Sequence, residues 1–233
     1  MKSILFVGLG SIGQRHLKNA KKIFKNSNFF ALRKTNHNNV IESAKLKKKQ
    51  NLEKFYSLKK VFNKPDDINF NPFITFICNP TSYHIDTAIR FASKGSHIFI
   101  EKPIGINKAK INKLKKIIRR KKIVSFIGYQ FRFHPAIIYL KEILVTSKFG
   151  KIISGNFSFL TFLPNHHKYE DYKKTYVALK KLGGGTALNL SHDIDLIIFL
   201  FGKPNKINCK SHNPKIIKTE TEKDLFAEFY YKN

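Results

Sequence analysis

Gly8-Leu9-Gly10-Ser11-Ile12-Gly13 is the stretch of the sequence that decides the fold. It directly follows an apolar run at residues 4–7, which is typical of a buried strand, and it precedes apolar residues at helical spacing. In that context the first glycine permits a tight turn, the second lets the backbone approach a pyrophosphate, and the third lets the helix pack closely on the strand. The stretch predicts the phosphate-binding turn of a Rossmann domain, with Ser11 and Ile12 at the helix N-terminus that faces the phosphates. A glycine-bearing turn without a ligand is the alternative.

Alternating strand and helix patterns continue through the first half of the chain. Apolar runs predict four more strands, at residues 29–32, 73–78, 96–100 and 123–127. Helical spacing predicts two helices between them, at residues 85–92 and 109–118. Such repeats indicate an α/β fold whose doubly wound parallel sheet is covered on both faces. We assign residues 1–128 to this dinucleotide-binding domain.

The pattern changes after Gly128. It predicts two helices, one over residues 136–145 and an apolar one that ends at Gly202. It also predicts three strands, at residues 152–162, 206–210 and 225–231, and the first of them alternates in the manner of an open, one-sided strand. These elements describe an α+β substrate-binding domain at residues 129–233 with an open, mostly antiparallel sheet.

The composition is strongly basic, with a net charge of +29, but only six of the 44 basic residues are arginine. Specific nucleic-acid readers favour arginine for bidentate contacts, so we expect no specific nucleic-acid partner, although a basic field can steer anionic substrates. No apolar run reaches the roughly 20 residues that span a bilayer. The two distant cysteines indicate neither a disulfide framework nor a metal site. We therefore expect a cytoplasmic protein without a metal or a membrane partner.

The residues that would choose between NAD and NADP follow the second strand. An NAD-binding domain usually carries a carboxylate about 20 residues after the glycine turn, where it holds the 2′-hydroxyl of the adenosine ribose. This chain has Leu32-Arg33-Lys34-Thr35 at that point. Arg33 and Lys34 suit a 2′-phosphate, which favours NADP slightly over NAD, or they suit stacking on adenine. A basic surface pair in a lysine-rich chain is the alternative.

Three further motifs follow the glycine turn in order. They are Cys78-Asn79-Pro80-Thr81-Ser82-Tyr83-His84, then Glu101-Lys102-Pro103, then Gly183-Gly184-Gly185 ahead of a helix that carries His192. Together they resemble the Gfo/Idh/MocA oxidoreductase family, and within it the sugar and nucleotide-sugar dehydrogenases of surface-polysaccharide biosynthesis. The resemblance implies a Rossmann domain, a second domain with an open sheet, and NAD or NADP as cofactor. It also implies hydride exchange between nicotinamide and a hydroxyl carbon of a sugar.

The resemblance also implies roles for the matching residues. Beside the glycine turn and Arg33, the cofactor would contact the residues Asn79, Pro80, Thr81, His84, Glu101, Lys102 and Gln130. Thr81 equally suits a helix N-cap. Lys102 would also bind the substrate and stabilise a developing alkoxide, and the following proline biases its backbone away from helix.

His192 is the candidate for proton exchange, since histidine titrates near neutral pH. Asn189, His192 and Asp195 are three residues apart, which predicts one shared face of a single helix. The family often has an aspartate where this chain has Asn189, so a carboxylate partner for His192 is Asp195 or is absent. Asn189, His192 and Arg132 would bind the substrate. A structural polar network is the alternative for this helix.

Other interpretations keep the fold and change the function. The same fold can use a bound cofactor transiently for elimination or glycoside cleavage, and a non-catalytic relative would bind without turnover. Family members continue for roughly another hundred residues of sheet, so we expect the second domain to be truncated, and a homo-oligomer through its sheet is possible. The sequence leaves the sugar and the direction of reaction open.

Overall fold

The computed structural model describes residues 1–34, 40–42, 45–47, 51–165, 171–215 and 217–232. The chain divides into two compact units, Met1–Gly128 and Tyr129–Asn233. No helix in the described ranges is long and apolar enough to cross a bilayer. Within the same ranges, no cluster of three or more His, Cys, Asp or Glu side chains is arranged to hold a metal ion.

The first unit is built on a sheet of six strands: β1 Lys2–Val7, β2 Ser27–Leu32, β5 Lys60–Phe62, β6 Ile74–Ile77, β7 His97–Ile100 and β8 Ser125–Ile127. Their order in the sheet is β5-β2-β1-β6-β7-β8, and every paired neighbour is parallel. A separate antiparallel hairpin joins β3 Val40–Glu42 to β4 Lys45–Lys47. The helices are α1 Ser11–Ile23, α2 Leu52–Phe55, α3 Thr81–Ser93 and α4 Lys108–Lys121. This order confirms the predicted doubly wound α/β fold, with β5 and the hairpin as elements that the sequence patterns missed.

The core of the first unit lies on both faces of this sheet. In β1, Leu5 belongs to the apolar cluster under α3 and α4, whereas Ile4 and Phe6 belong to the cluster under α1. All three side chains are fully buried. A central strand that is buried on both sides needs apolar residues at every position, and this explains the unbroken apolar run in the sequence.

The second unit contains the helices α5 Pro135–Val145, α6 Thr186–Asn189 and α7 Ser191–Phe201. Its strands β9 Lys206–Lys210 and β10 Phe226–Tyr230 form an antiparallel pair in which Phe226 lies opposite Lys210. The two strands confirm the predictions for residues 206–210 and 225–231: β9 has the predicted bounds, and β10 is one residue shorter at each end.

Two predictions for the second unit were wrong. Residues 152–162 are all described and form no strand, because their backbone pairs with no other strand in the described part of the chain; Ile153 is 98% and Leu160 is 92% exposed. The predicted continuous helix over residues 189–202 is broken at Leu190, where ψ is +24°. The amide of Leu190 still bonds to Thr186, but the amide of Asp193 bonds only three residues back, to Leu190.

The packing of α4 on the sheet gives a direct test of the fold. Leu114 is 1% exposed in the core of the first unit, while its neighbour Lys115 is exposed. We expect Leu114→Ala to lower the free energy of unfolding by about 2–5 kcal/mol, since it leaves a cavity under the helix. Lys115→Ala is the control on the same helix and should change it by less than about 0.5 kcal/mol. Urea unfolding followed by circular dichroism measures both, and equal effects would contradict this packing.

Candidate functional site

The glycine turn joins β1 to α1, and each of its three glycines meets different surroundings. Gly8 has φ of +91°, and a Cβ atom there would lie 2.8 Å from the backbone nitrogen of Asn79. A Cβ atom on Gly13 would lie 2.2 Å from the carbonyl oxygen of Gly8, so α1 is in direct contact with the turn. A Cβ atom on Gly10 would meet nothing within 4 Å. The first and third glycines are therefore required by packing, and the second borders open space.

The open space at Gly10 fits a dinucleotide pyrophosphate. Gly10 is the N-cap of α1 and has no side chain to satisfy the first amides of the helix. Ser11 and Ile12, the next two predicted contacts, are exposed, with Ile12 at 37%. Unsatisfied amides at a helix N-terminus that a ligand backbone can approach form an anion site.

The basic pair after β2 lies at the same edge of the sheet. Arg33 continues the strand, because its amide donates to the carbonyl of Phe62 at 2.9 Å, and burial lowers the pKa of its half-buried guanidinium. The Lys34 ammonium lies 5.2 Å from the centre of the Tyr83 ring on α3. This cation–π contact places an aromatic ring beside the basic pair, which the sequence did not suggest. Thr35 lies outside the described residues.

The loop after β6 is held by polar contacts of Asn79 and His84. Asn79 Nδ2 donates to Thr87 Oγ1 at 3.0 Å, while its Oδ1 is buried with no hydrogen-bond partner among the described residues. Both ring nitrogens of His84 lie 2.7 Å from backbone carbonyls, those of Pro103 and Asn79. Burial lowers the pKa of His84, and the two carbonyls oppose that shift. Its imidazole therefore connects the loop after β6 to the loop after β7 through hydrogen bonds to one carbonyl of each.

The alternative role for Thr81 as a helix cap was wrong. The cap position of α3 is Pro80, and Thr81 is the first helical residue, buried and without a side-chain capping bond. Proline at this point fixes the entry of the chain into the helix but offers no side-chain acceptor.

Glu101 and Lys102 follow β7, and the peptide bond between Lys102 and Pro103 is cis. The Glu101 carboxylate accepts a hydrogen bond from the backbone N–H of Lys102 at 3.1 Å and lies 2.6 Å from His16 Nε2 on α1. Sequence reasoning missed His16. Its position three residues after Gly13 was the available signal, because that spacing returns the helix to the face that packs on the sheet.

The predicted cofactor residues of the first unit thus gather at one edge of the sheet. The glycine turn, Arg33, the Asn79 loop and Lys102 follow β1, β2, β6 and β7, whose carboxyl ends lie side by side because the strands are parallel. The strand order reverses between β1 and β6, and doubly wound proteins bind ligands at that switch point.

Gln130 and Arg132 lie in a 3-10 turn, Gln130–Phe133, of the second unit. Arg132 donates from Nε and from an Nη atom to the two oxygens of Asp195, at 2.8 and 2.6 Å. This pairing raises the pKa of Arg132. Asp195, which the sequence offered as a partner for His192, is thus held through both of its oxygens by Arg132. The guanidinium also lies 5.1 Å from the centre of the Phe199 ring.

His192 sits on the first turn of α7 between two aromatic rings. Its ring centre is 4.9 Å from that of Phe131 and 5.8 Å from that of Tyr129, and both contacts are edge-on. Burial raises the pKa of Tyr129. Asn189 ends α6, on the other side of the helix break, and its Oδ1 accepts a hydrogen bond from the Tyr176 hydroxyl at 3.2 Å.

The second unit also contains a cavity of about 230 Å³. Asn189 lines it together with carboxylates and aromatic rings, including Asp193, Glu222, Phe157 and Phe159. His192 is not among its lining residues, so of the two predicted substrate residues only Asn189 borders this cavity.

The glycine run before α6 is explained by packing. A Cβ atom on Gly184 would lie 2.3 Å from the carbonyl oxygen of Val177, and one on Gly185 would lie 2.5 Å from a carboxylate oxygen of Glu222. Glu222 in turn accepts a hydrogen bond from the Ala187 amide at 3.0 Å and so satisfies the start of α6. The backbone of Val177 leaves no room for a side chain at Gly184, and the φ of +121° at Gly185 is one that other residues rarely adopt.

Two family descriptions match this chain. "Oxidoreductase family, NAD-binding Rossmann fold" matches residues 2–129, and "GFO/IDH/MocA C-terminal domain" matches residues 137–233. The chain therefore belongs to the Gfo/Idh/MocA family of oxidoreductases, as its motifs indicated.

Among curated proteins, the chain is similar to oxidoreductase P35 of Formosa agariphila, with 22% identity over 97% of this chain and 68% of that protein. It is also similar to myo-inositol 2-dehydrogenase of Thermotoga maritima, with 28% identity over 62% of this chain and 41% of that protein. The match to the second relative thus spans well under two thirds of that protein's length.

Among solved structures, the chain resembles the WlbA dehydrogenase from Bordetella pertussis in complex with NADH and UDP-GlcNAcA. The TM-score is 0.79 at 18% identity, over 100% of this chain and 68% of that chain. It also resembles scyllo-inositol dehydrogenase from Lactobacillus casei with bound NAD(H) and scyllo-inositol, with a TM-score of 0.69 at 22% identity, over 92% and 60% of the two chains. At these identities the likeness establishes the fold.

The three glycines give a matched test of the dinucleotide site. Gly10→Ala should leave the thermal midpoint nearly unchanged and weaken NADH binding by about tenfold or more, because its methyl group enters only the space that the pyrophosphate would approach. Gly13→Ala should instead destabilise the protein by about 1–3 kcal/mol through the clash with Gly8, although alanine is the better helix former. NADH fluorescence titration and thermal unfolding measure both. Unchanged NADH affinity in Gly10→Ala would count against this site.

Proposed function

We propose that this chain carries out NAD(P)-dependent oxidoreduction of a sugar or nucleotide sugar at a hydroxyl-bearing carbon. The observation that carries the proposal is the position of Lys102. It follows the buried strand β7 at the sheet edge where the glycine turn and the Asn79 loop also lie. A cationic side chain at the carboxyl edge of a dinucleotide-binding sheet is suited to act on a group beside the cofactor.

The glycine turn would hold the pyrophosphate, and the Asn79 loop would border the nicotinamide. Bound nicotinamide supplies the hydride acceptor or donor. Asn79 supports this assignment, because its buried Oδ1 lacks a hydrogen-bond partner in the described part of the chain and is able to accept one from a ligand.

Lys102 would act on the substrate hydroxyl. An ammonium group that donates to this oxygen lowers the pKa of the hydroxyl and stabilises negative charge as alkoxide character develops. The half-buried position of Lys102 supports the role, since partial exclusion of water strengthens such an interaction.

His192 would exchange the hydroxyl proton. Its ring is half-buried and bordered by the edges of Phe131 and Tyr129, which limit its rotation. A histidine imidazole that is restrained in this way is suited to general acid–base chemistry. Arg132 is suited to a supporting role, because its pairing with Asp195 ties the turn that carries Phe131 to the helix that carries His192.

The substrate class is proposed from the related proteins. They include dehydrogenases named for myo-inositol, levoglucosan and glucose 6-phosphate, and a structure that contains UDP-GlcNAcA. All of these compounds are polyhydroxylated, and two carry phosphate. The net charge of +29 favours an anionic member of this class, since a positive field raises the rate of encounter with anions.

A turnover screen tests the proposal. The chain is incubated with NAD⁺ or NADP⁺ and each of myo-inositol, levoglucosan, glucose 6-phosphate and UDP-GlcNAcA, and absorbance of the reduced cofactor is followed. Net reduction with one compound supports the proposal. Conversion of the compound without net reduction would indicate transient use of the cofactor and contradict simple dehydrogenation. Cofactor binding without conversion of any compound in either direction would contradict turnover of this substrate class.

Replacement of Lys102 should separate turnover from cofactor binding. We expect Lys102→Ala to lower kcat by about 100- to 1,000-fold, which is typical of a lost donor to a developing oxyanion, with little change in NADH affinity. Lys108→Ala, at the exposed start of α4, is the control and should behave as the unmodified chain. Steady-state rates and NADH fluorescence give both quantities. A parallel loss of rate and NADH affinity would show that Lys102 acts only by holding the cofactor.

Arg33 should decide how strongly the chain prefers NADP. If it pairs with a 2′-phosphate, Arg33→Ala should weaken NADPH binding by about 10- to 100-fold, the range expected for one charged hydrogen-bonded pair, and should leave NADH binding nearly unchanged. Arg90→Ala is the control, because Arg90 pairs with Asp66 on the surface of the same unit. Fluorescence titrations with both reduced cofactors provide the comparison. An equal effect on NADH and NADPH would contradict recognition of the phosphate by Arg33.

A further inference from the structure

The contacts of Glu101 form a link between α1 and the Lys102 segment. The Glu101 side chain is 12% exposed and that of His16 is 20% exposed, and the closest approach between them is 2.6 Å. The other Glu101 oxygen accepts from the backbone N–H of Lys102. One carboxylate therefore bonds both to a side chain of the helix and to the backbone of the next residue.

The surroundings leave the Glu101 carboxylate little freedom. A Cβ atom on Gly128, directly after β8, would lie 3.1 Å from one of its oxygens, so the carboxylate rests against the backbone there. The charge of Glu101 also contributes, after burial, to a raised pKa for the Cys78 thiol, which faces the glycine turn. A carboxylate in such a place is stable only while its hydrogen bonds are made.

His16 is itself held in place by aromatic rings of the sheet. Its ring lies edge-on to Phe99 of β7 at 4.7 Å and is tilted against Phe76 of β6 at 6.3 Å between ring centres. An imidazole that is fixed by two strands presents Nε2 to Glu101 at a set position. The helix that opens with the glycine turn thus also carries the side chain that contacts Glu101, the residue before Lys102.

We propose that His16 is a positioning residue, which fixes the backbone of Lys102 through the Glu101 carboxylate and so sets where the lysine ammonium acts. The inference rests on the proposed function of Lys102. It gives Glu101 a role toward Lys102 rather than a direct contact with the cofactor. Because α1 carries both the glycine turn and His16, the lysine is held in register with the helix that would bind the pyrophosphate. Misplacement of a reacting group by about 1 Å is enough to cost about 100-fold in rate.

Two variants of His16 test the link. His16→Gln keeps an N–H near the position of Nε2, whereas His16→Leu keeps most of the volume and removes the donor. We expect the Lys102 amide to exchange its hydrogen about tenfold faster in His16→Leu and at the rate of the unmodified chain in His16→Gln. Hydrogen exchange measured by mass spectrometry on the peptide around residues 101–106 needs no substrate. Asn19→Leu, at an exposed position of α1, is the control for added apolar surface.

Turnover and cofactor affinity complete the test. With the screened compound that is turned over fastest, His16→Leu should lose about tenfold or more in kcat, and His16→Gln should recover it to within about threefold. NADH affinity, read from its fluorescence in a chain without tryptophan, should stay within about threefold in both. If His16→Leu is unfolded by thermal scan, Glu101→Leu cuts the same link from the other side and takes its place.

Three outcomes would overturn the inference. They are unchanged exchange at the Lys102 amide in the leucine variant, faster exchange with unchanged kcat, and a loss of NADH affinity that parallels the loss of rate. A failure of the proposed function is distinguishable, because it removes turnover from the unmodified chain while the exchange measurement still reports whether His16 holds Lys102.

Discussion

The contact between Gly13 and the Gly8 carbonyl is the constraint on which the rest of the first unit depends. It brings α1 against the turn after β1 at a distance that no side chain would allow. Because α1 lies in this position, its N-terminus at Gly10 borders open space that a ligand can occupy. Its second turn places His16 against Phe99 of the sheet. Two features that look unrelated in the sequence, the glycine turn and the contact between His16 and Glu101, are thus consequences of one helix position.

Buried polar contacts then tie the loops at the carboxyl edge to one another. Within α1, Gln14 donates to the Leu9 carbonyl at 3.0 Å and accepts from the Tyr56 hydroxyl at 2.8 Å. His84 connects the loops after β6 and β7 in the same manner. Hydrogen bonds of this kind add modestly to stability, at about 1 kcal/mol each, but leaving one unmade in the interior costs more. Their consequence is a sheet edge whose loops keep fixed positions, as the proposed alignment of a cofactor with a reacting carbon requires.

The elements that the sequence predicted well are those whose signals are local. Central strands such as β1 are apolar at every position because both faces are buried, and the glycine turn follows from steric rules within six residues. β5 was missed because it has only three residues, one of them lysine, at the edge of the sheet. The strand predicted at residues 152–162 failed for the opposite reason: alternation is a local signal, but a strand requires a partner.

The residues of the candidate site also differ in whether a local sequence signal or a long-range contact identifies them. Lys102 and Asn79 were proposed from motifs that come just after the strands β7 and β6. The contacts between His16 and Glu101 and between Arg132 and Asp195 span 85 and 63 residues of sequence, and no spacing rule reaches that far. The start of α6 depends in the same way on a distant loop, since the Thr186 and Ala187 amides donate to the carbonyl and the carboxylate of Glu222.

The two long-range contacts have the same physical form, and this suggests how the chain uses its few acidic residues. Among 15 carboxylates in a chain with 44 lysines and arginines, Glu101 and Asp195 are largely buried. Glu101 bonds to the backbone of Lys102, and Asp195 bonds to Arg132, whose neighbour Phe131 contacts the His192 ring. In an excess of positive charge, an exposed carboxylate has many competing partners and little power to fix any of them. A buried carboxylate with two matched donors selects one geometry, because any other arrangement leaves a charge without a partner in the interior. Because acidic residues are few and these two are buried, Glu101 and Asp195 fix the positions of Lys102 and Arg132.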